Sequence, residues 1–208
     1  MDYQAKVNYF DENVGAAWAA AEYGLDEMSK LARLFEHTGS LRGCKILEPG
    51  CGTGRLTEIL SNHVGQKGSV VALDISPKMV DEARTRTAAR GNVEIYLSPV
   101  ESFPLGPDTY DLILCHQVFP HFEDKGKVLT SLSGSLKPGG RLIVIHFINS
   151  EEINDRHRKA GTAVERDRMP KENEMQLFFD NAGLDISFIL DDDLGYFLSA
   201  SRSREEAR

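Results

Sequence analysis

From Cys44 onward, short apolar runs rich in β-branched residues alternate with segments of helical periodicity, and this rhythm most constrains the fold. "CKILEP" (44–49), "SVVALDI" (69–75), "NVEIYL" (92–97), "YDLILCHQV" (110–118) and "RLIVIHF" (141–147) read as strands. Between them, "GRLTEILSNHV" (54–64) places Leu56, Ile59, Leu60 and Val64 on one side of a helix. "SPKMVDEARTRTAAR" (76–90) opens with Ser76 as N-cap and Pro77 at the first helical position. "KGKVLTSLSGSLKPGG" (125–140) reads as a helix stopped by Pro138 and two glycines. Nearly continuous apolar strands alternating with helices predict a parallel α/β sheet covered on both faces. The end of the chain breaks the rhythm. "ENEMQLFFDNAGL" (172–184) is a helix ending at Gly183, and "DISFIL" (185–190) and "GYFLSASR" (195–202) are separated only by "DDDL". So short a connection predicts an antiparallel hairpin. The expectation is a Rossmann-like, seven-stranded mixed sheet flanked by helices, as one domain over 1–208. Within it, 1–40 is a helical N-terminal cover, 41–147 a cofactor-binding core, 148–171 an insert over the acceptor site, and 172–202 a closing helix and hairpin.

In open parallel sheets, ligands bind beyond the carboxyl ends of the strands, near the point where strand order reverses. The stretch "ILEPGCGTGRL" (46–56) marks that place: an apolar strand ends in an acid and meets a glycine-rich turn. Its glycines are Gly50, Gly52 and Gly54, spaced G-x-G-x-G. A dinucleotide fingerprint needs a further glycine where Arg55 stands, and a phosphate-cradling Gly-Lys-Ser/Thr is missing. Glu48 ahead of the turn opposes a pyrophosphate and favours a cationic or ammonium-bearing ligand. Asp74 ends the second strand, where a carboxylate can accept from both ribose hydroxyls. Other readings stand beside these: the glycines serve only the turn, and Asp74 only caps the helix that begins at Pro77.

"LEPGCGTG", "VVALDIS", "YDLILCHQVF", "LKPGGRLIVI" and the closing hairpin, in that order, resemble the class I S-adenosylmethionine-dependent methyltransferases of small-molecule type. The resemblance covers about residues 44–202. It implies S-adenosyl-L-methionine as cofactor and S-adenosyl-L-homocysteine as product. It further implies that Glu48 polarises the loop around the methionine moiety, that Gly50, Cys51 and Gly52 contact it through the backbone, that Asp74 holds the ribose and that Ile75 packs on the adenine. Cys115 and His116 then lie along the methionine arm. One position departs: the family's acid after the third strand is replaced by Pro99 in "SPVE" (98–101). The Val100 N–H still meets the adenine, and Ser98 or Glu101 replaces the missing carboxylate, or nothing does; some loss of cofactor affinity is the expectation. The rival classes are a non-catalytic cofactor-binding regulatory protein and a nucleotide-dependent oxidoreductase.

Methyl transfer from a sulfonium is an in-line displacement, for which positioning and water exclusion suffice unless the acceptor must lose a proton. The carboxyl ends of the fourth and fifth strands are rich in histidine: His116, His121, His146 and then His157 in the insert. His121 or His146 is a candidate general base. In a second reading, His121, His146 and His157 with Asp167 form a divalent metal site for the acceptor. In a third, the histidines merely hydrogen-bond loop backbone. Tyr9, Phe10 and Trp18 in the N-terminal cover, with His157, are candidates to line the acceptor pocket; the alternative is that the aromatics staple a helix to the sheet.

The net charge is −8, where a nucleic-acid binder usually shows a basic face. Neither an Asn/Asp-Pro-Pro-aromatic motif nor a Pro-Cys nucleophile occurs, so a small molecule is the expected substrate and no nucleic acid is expected. Three cysteines without a CxxC pair argue against a disulfide framework or zinc knuckle. No leader pattern or membrane-length apolar run is present, so a cytoplasmic protein free of membrane is the expectation, of unknown oligomeric state.

Overall fold

The computed structural model describes residues 3–203. Seven strands form one sheet in the order β3-β2-β1-β4-β5-β7-β6. The chain divides into two compact units, Met1–Val100 and Glu101–Arg208.

The first unit holds β1 (Lys45–Pro49), β2 (Ser69–Asp74) and β3 (Val93–Leu97), all parallel. Leu47 faces Val71, and Ala72 faces Ile95. Helix α1 (Gln4–Glu12), the short α2 (Ala17–Ala20) and α3 (Leu25–Thr38) precede the sheet, and α4 (Arg55–Val64) and α5 (Pro77–Arg86) form its crossovers. Ser76 is the N-cap of α5, accepting from the Met79 N–H at 3.1 Å, with Pro77 in the first turn. Gly54 caps α4 at φ +78°, and a Cβ there would lie 2.9 Å from Ala83 of α5. The last glycine of the loop therefore serves a left-handed turn and the close approach of two helices.

The second unit holds β4 (Tyr110–His116), β5 (Leu136–His146), β6 (Leu184–Asp192) and β7 (Gly195–Arg202). Its helices are α6 (Lys125–Ser135), α7 (Ser150–Lys159) and α8 (Glu172–Asn181). Strands β4 and β5 are parallel, and β5–β7 and β7–β6 are antiparallel, as the short final connection implies. Leu112, Ile113, Leu114 and Leu142, Ile143, Val144 are buried to within 1% of fully, which is why these strands read as continuous apolar runs. The helix expected over 125–140 ends instead at Ser135, and β5 begins at Leu136. Tyr110 faces Leu136 while Leu112 faces Arg141, so 137–140 bulges from the ladder. A Cβ on Gly140 would come within 2.8 Å of the Lys137 carbonyl and 3.1 Å of that of Tyr110, so glycine is required by the tightness of the bulge. Among the described residues, no helix is long and apolar enough to cross a membrane.

Candidate functional site

In the first unit, β1 delivers Glu48 and the loop that follows. The Gly50 and Cys51 N–H groups donate to the Leu73 carbonyl at 2.7 and 2.9 Å, which folds the loop back over the end of β2. Gly50 and Gly52 adopt φ of 71° and 55°, in the left-handed region open to glycine. Asp74 ties the loop to the next helix: Oδ2 accepts from the Gly52 N–H at 2.8 Å and Oδ1 from the Ser76 N–H at 2.9 Å. Its carboxylate thus organises the turn, and the alternative of a purely structural acid has this geometry in its favour. The Cys51 side chain is buried in the core with Ala72 and Ala83, and its thiol donates to the Gly52 carbonyl at 3.7 Å. Ile75 is half-buried.

Glu48 is 1% exposed and accepts from the Thr57 hydroxyl at 2.7 Å. Burial pushes its carboxyl up to about 8; the Thr57 hydrogen bond offsets this in part, and the Asp74 charge adds to it. At neutral pH it is mainly a protonated acid. A cation nearby would restore its charge. This pattern fits a ligand bearing an ammonium or sulfonium group.

The N-terminal cover is fastened to this loop by polar contacts. Thr53 Oγ1 donates to the Ala19 carbonyl, and Arg55 donates to the carbonyls of Ala21 (2.6 Å) and Trp18 (2.5 Å). The Arg55 guanidinium also lies 4.3 Å from the centre of the Tyr23 ring. At the other end, Asp11 accepts from the Ser76 hydroxyl and the Lys78 N–H. Arg55, which breaks the dinucleotide pattern, therefore holds residues 18–23. Tyr9 meets Phe10 edge-on at 5.4 Å, and Phe10 meets Trp18 at 6.5 Å. Trp18 remains 50% exposed. Val100 is buried in a 3-10 turn over Val100–Ser102, and Ser98 turns its hydroxyl onto the Pro99 carbonyl.

In the second unit, Cys115 is fully buried within β4, and burial raises its thiol far above the usual range. His116 ends β4, packed edge-on to Phe147 at 4.9 Å. Gln117 follows at φ +54° while its N–H donates to the Ile145 carbonyl at 2.9 Å. A glutamine held left-handed where a parallel strand ends is a local strain that no sequence pattern revealed. Glu101 Oε1 is buried without a hydrogen-bond partner among the described residues.

His121 follows β4 in a short 3-10 turn, and its Nδ1–H donates to Asp167 Oδ2 at 2.7 Å. His157, on α7, donates from Nδ1 to the Asp167 carbonyl at 2.6 Å. The two imidazoles lie 4.8 Å apart. Because carboxylate and carbonyl oxygens only accept, both neutral rings carry the proton on Nδ1 and leave Nε2 as the basic nitrogen. Asp167 is itself buried. Its segment is set by Asn154, which donates to the Met169 carbonyl at 3.1 Å and accepts from the Met169 N–H at 2.7 Å. Ser150 at the start of α7 is bound through its N–H and hydroxyl to the two oxygens of Asp191. Ser150, Asn154 and Asp191 escaped the sequence reading, since nothing local marks them.

His146 ends β5 and is 4% exposed. Burial first, then the charges that His116, His121 and His157 could carry, push its imidazole well below the usual range. So the histidines do gather, but not as metal ligands. Among the described residues, no group of three or more His, Cys, Asp or Glu is disposed to hold a metal ion. The expected set of His121, His146, His157 and Asp167 is not brought together as a ligand group; the Asp167 carboxylate instead takes His121, and its carbonyl takes His157.

A parallel sheet whose first strand presents a buried acid and left-handed glycines, followed by an acid closing the second strand, defines a class of adenosine-cofactor protein. Residues 40–187 match the methyltransferase domain family. The chain belongs to this family, the class I S-adenosylmethionine-dependent methyltransferases. The ubiquinone/menaquinone biosynthesis C-methyltransferase UbiE of Vibrio vulnificus is 34% identical over 141 residues, 66% of this chain and 54% of that protein. The chain spans about half the length of the curated relatives it matches. Among solved structures, a SAM-dependent methyltransferase from Aquifex aeolicus has a TM-score of 0.65 at 24% identity, covering 97% of each chain. Magnesium protoporphyrin IX methyltransferase (ChlM) from Synechocystis, with bound SAH, has 0.71 at 22%, covering 98% of this chain and all of that one. At these identities both show the fold.

Proposed function

We propose that the protein transfers a methyl group from S-adenosylmethionine to a small, uncharged acceptor. The observation that carries this reading is the buried Glu48 acid ahead of the Gly50–Gly54 loop, a setting suited to an aminoacyl-bearing cation. Glu48, the backbone of Gly50, Cys51 and Gly52, and Asp74 would hold the cofactor, with Ile75 and Val100 at its adenine. Cys115 and His116 would flank the methionine arm. When bound, S-adenosylmethionine supplies an electrophilic methyl group: the acceptor atom forms a bond to carbon, and the carbon–sulfur pair stays on sulfur as a neutral thioether.

The residues of this chain then orient the acceptor and take its proton. His121 is the base, because the Asp167 carboxylate fixes its tautomer and would stabilise the imidazolium once it forms. His146 is too weakly basic for that step. Tyr9, Phe10, Trp18 and His157 would shape the acceptor's surroundings. The relatives named as C-methyltransferases of ubiquinone/menaquinone biosynthesis favour a carbon acceptor. Calorimetry with S-adenosylhomocysteine, followed by transfer of radiolabelled methyl across hydroxylated aromatic acceptors, tests the reading. Tight binding of NAD(H) with none of S-adenosylhomocysteine would overturn it; cofactor binding with no transfer to any acceptor would favour a regulatory binder.

A further inference from the structure

His146 Nε2 and Tyr196 Oη are buried polar atoms of the second unit that have no hydrogen-bond partner among the described residues. Their residues are 4% and 3% exposed. They face each other across the β5–β7 ladder, so both side chains leave the sheet on the same face. Folded proteins pair nearly all buried polar atoms, and each exception asks for a cause. Packing is not the cause, because a phenylalanine ring would fill the place of Tyr196 without burying a hydroxyl.

The backbone holds both residues firmly in place. The Tyr196 N–H donates to the Ile148 carbonyl at 3.1 Å. Gly195, at φ +106°, lies so near that a Cβ would come within 2.2 Å of the His146 carbonyl oxygen. Burial, with Asp191 and Glu172 nearby, keeps the Tyr196 phenol protonated, and His146 is neutral for the reasons given above. A phenol O–H donates, and one nitrogen of a neutral imidazole accepts. A hydroxyl group satisfies both, accepting from the first and donating to the second.

We propose that His146 and Tyr196 form an anchoring pair that hydrogen-bonds the hydroxyl or enol oxygen of an uncharged acceptor, an inference that rests on the methyl-transfer reading. Tyr196 is then a specificity residue, and His146 a binding group. His146, accepting from that hydroxyl, would also stabilise the positive charge that develops on the oxygen as a neighbouring carbon is methylated.

The test compares 1-naphthol with naphthalene as probes, by calorimetry on protein saturated with S-adenosylhomocysteine. The proteins are the wild type, Tyr196→Phe and His146→Phe. The wild type should bind 1-naphthol at least tenfold more tightly than naphthalene, and each variant should lose most of that preference. Tyr196→Phe should melt at or above the wild-type temperature, since its hydroxyl has no partner to lose, and S-adenosylhomocysteine affinity should be unchanged in both variants. Equal binding of the two probes by the wild type, no binding of either, or full discrimination in both variants would overturn the pair. A fall in the melting temperature of Tyr196→Phe would do so too, by revealing a structural hydroxyl. Failure of the wild type to bind S-adenosylhomocysteine would instead sink the methyl-transfer reading.

Discussion

His121 and Asp167 lie 46 positions apart in the chain, yet the His121 Nδ1–H meets Asp167 Oδ2 at 2.7 Å, in a setting where both side chains are largely screened from water. The carboxylate fixes the proton on Nδ1, which makes Nε2 the basic atom. An amide in its place can present an N–H to Nδ1 and turn the ring to the other tautomer. Asp167→Asn is therefore expected to lower kcat about a hundredfold, within the usual range for a positioned base. Removing the imidazole by His121→Ala should cost at least as much. S-adenosylhomocysteine affinity should stay constant in both, because neither residue belongs to the cofactor loop. Steady-state kinetics beside calorimetry checks this, and an unchanged kcat in Asp167→Asn would remove His121 from the chemistry.

Glu48 makes cofactor binding sensitive to pH. Its carboxyl titrates at about 8, so below that pH most of the protein carries the neutral acid. A cationic ligand prefers the carboxylate. Affinity for S-adenosylmethionine should thus rise with pH between about 6 and 8, by up to about tenfold per pH unit. Binding near pH 7 should release up to one proton. Calorimetry in phosphate and in Tris reads that proton as a buffer-dependent enthalpy, and Glu48→Gln should abolish it.

The same shift has a cost in stability. A carboxyl raised in the folded protein is protonated in both states below its unfolded value of 4.5, so no penalty exists there. As pH rises from 4.5 to about 8, the unfolded chain ionises while the fold resists, and stability is lost through that window. At about 1.4 kcal/mol per pH unit, the loss is on the order of 5 kcal/mol at most. Glu48→Gln lacks the ionisation. It should melt higher than the wild type at pH 8, approach it near pH 5, and bind the cofactor at least tenfold more weakly.

Arg55 is a fastening for the N-terminal cover. It donates to two carbonyls and stacks on Tyr23. A lysine keeps the charge but not the planar fork. Arg55→Lys should cost about 2 kcal/mol and lower the melting temperature by roughly 4–8 °C. Limited proteolysis should then cut within residues 16–24 sooner than in the wild type.

Much of the fold was legible because strands buried on both faces must be apolar throughout, and because Ser76–Pro77 and the short 191–194 connection each permit few conformations. The misplaced end of α6 has the opposite origin. "LKPGG" carries helix-stopping residues, and only the ladder to β4 shows that Leu136 already belongs to a strand and that the glycines serve a bulge. The glycine loop and the acid that closes β2 were readable from their spacing. The histidines were readable as a group, but not as a set of roles. What each imidazole does depends on which nitrogen faces which oxygen, and that is set by distant residues such as Asn154 and Asp191. Tyr196 was invisible because a tyrosine in a strand usually only packs.

Asn154 makes that dependence testable. Its amide closes two hydrogen bonds with the Met169 backbone, and Met169 lies two residues beyond Asp167. Without them, the segment that carries Asp167 keeps the His157 contact but loses its second attachment to α7. Each partly buried hydrogen bond contributes about 1 kcal/mol, so the local opening energy in Asn154→Ala should fall by about 2 kcal/mol. The Met169 amide should then exchange with solvent roughly ten- to a hundredfold faster, while the amides of β4 and β5 keep their protection. If Asp167 acts by orienting His121, kcat should fall along with this protection, with cofactor affinity untouched. Faster Met169 exchange at full kcat would show that the Asp167 segment can move without consequence for the reaction.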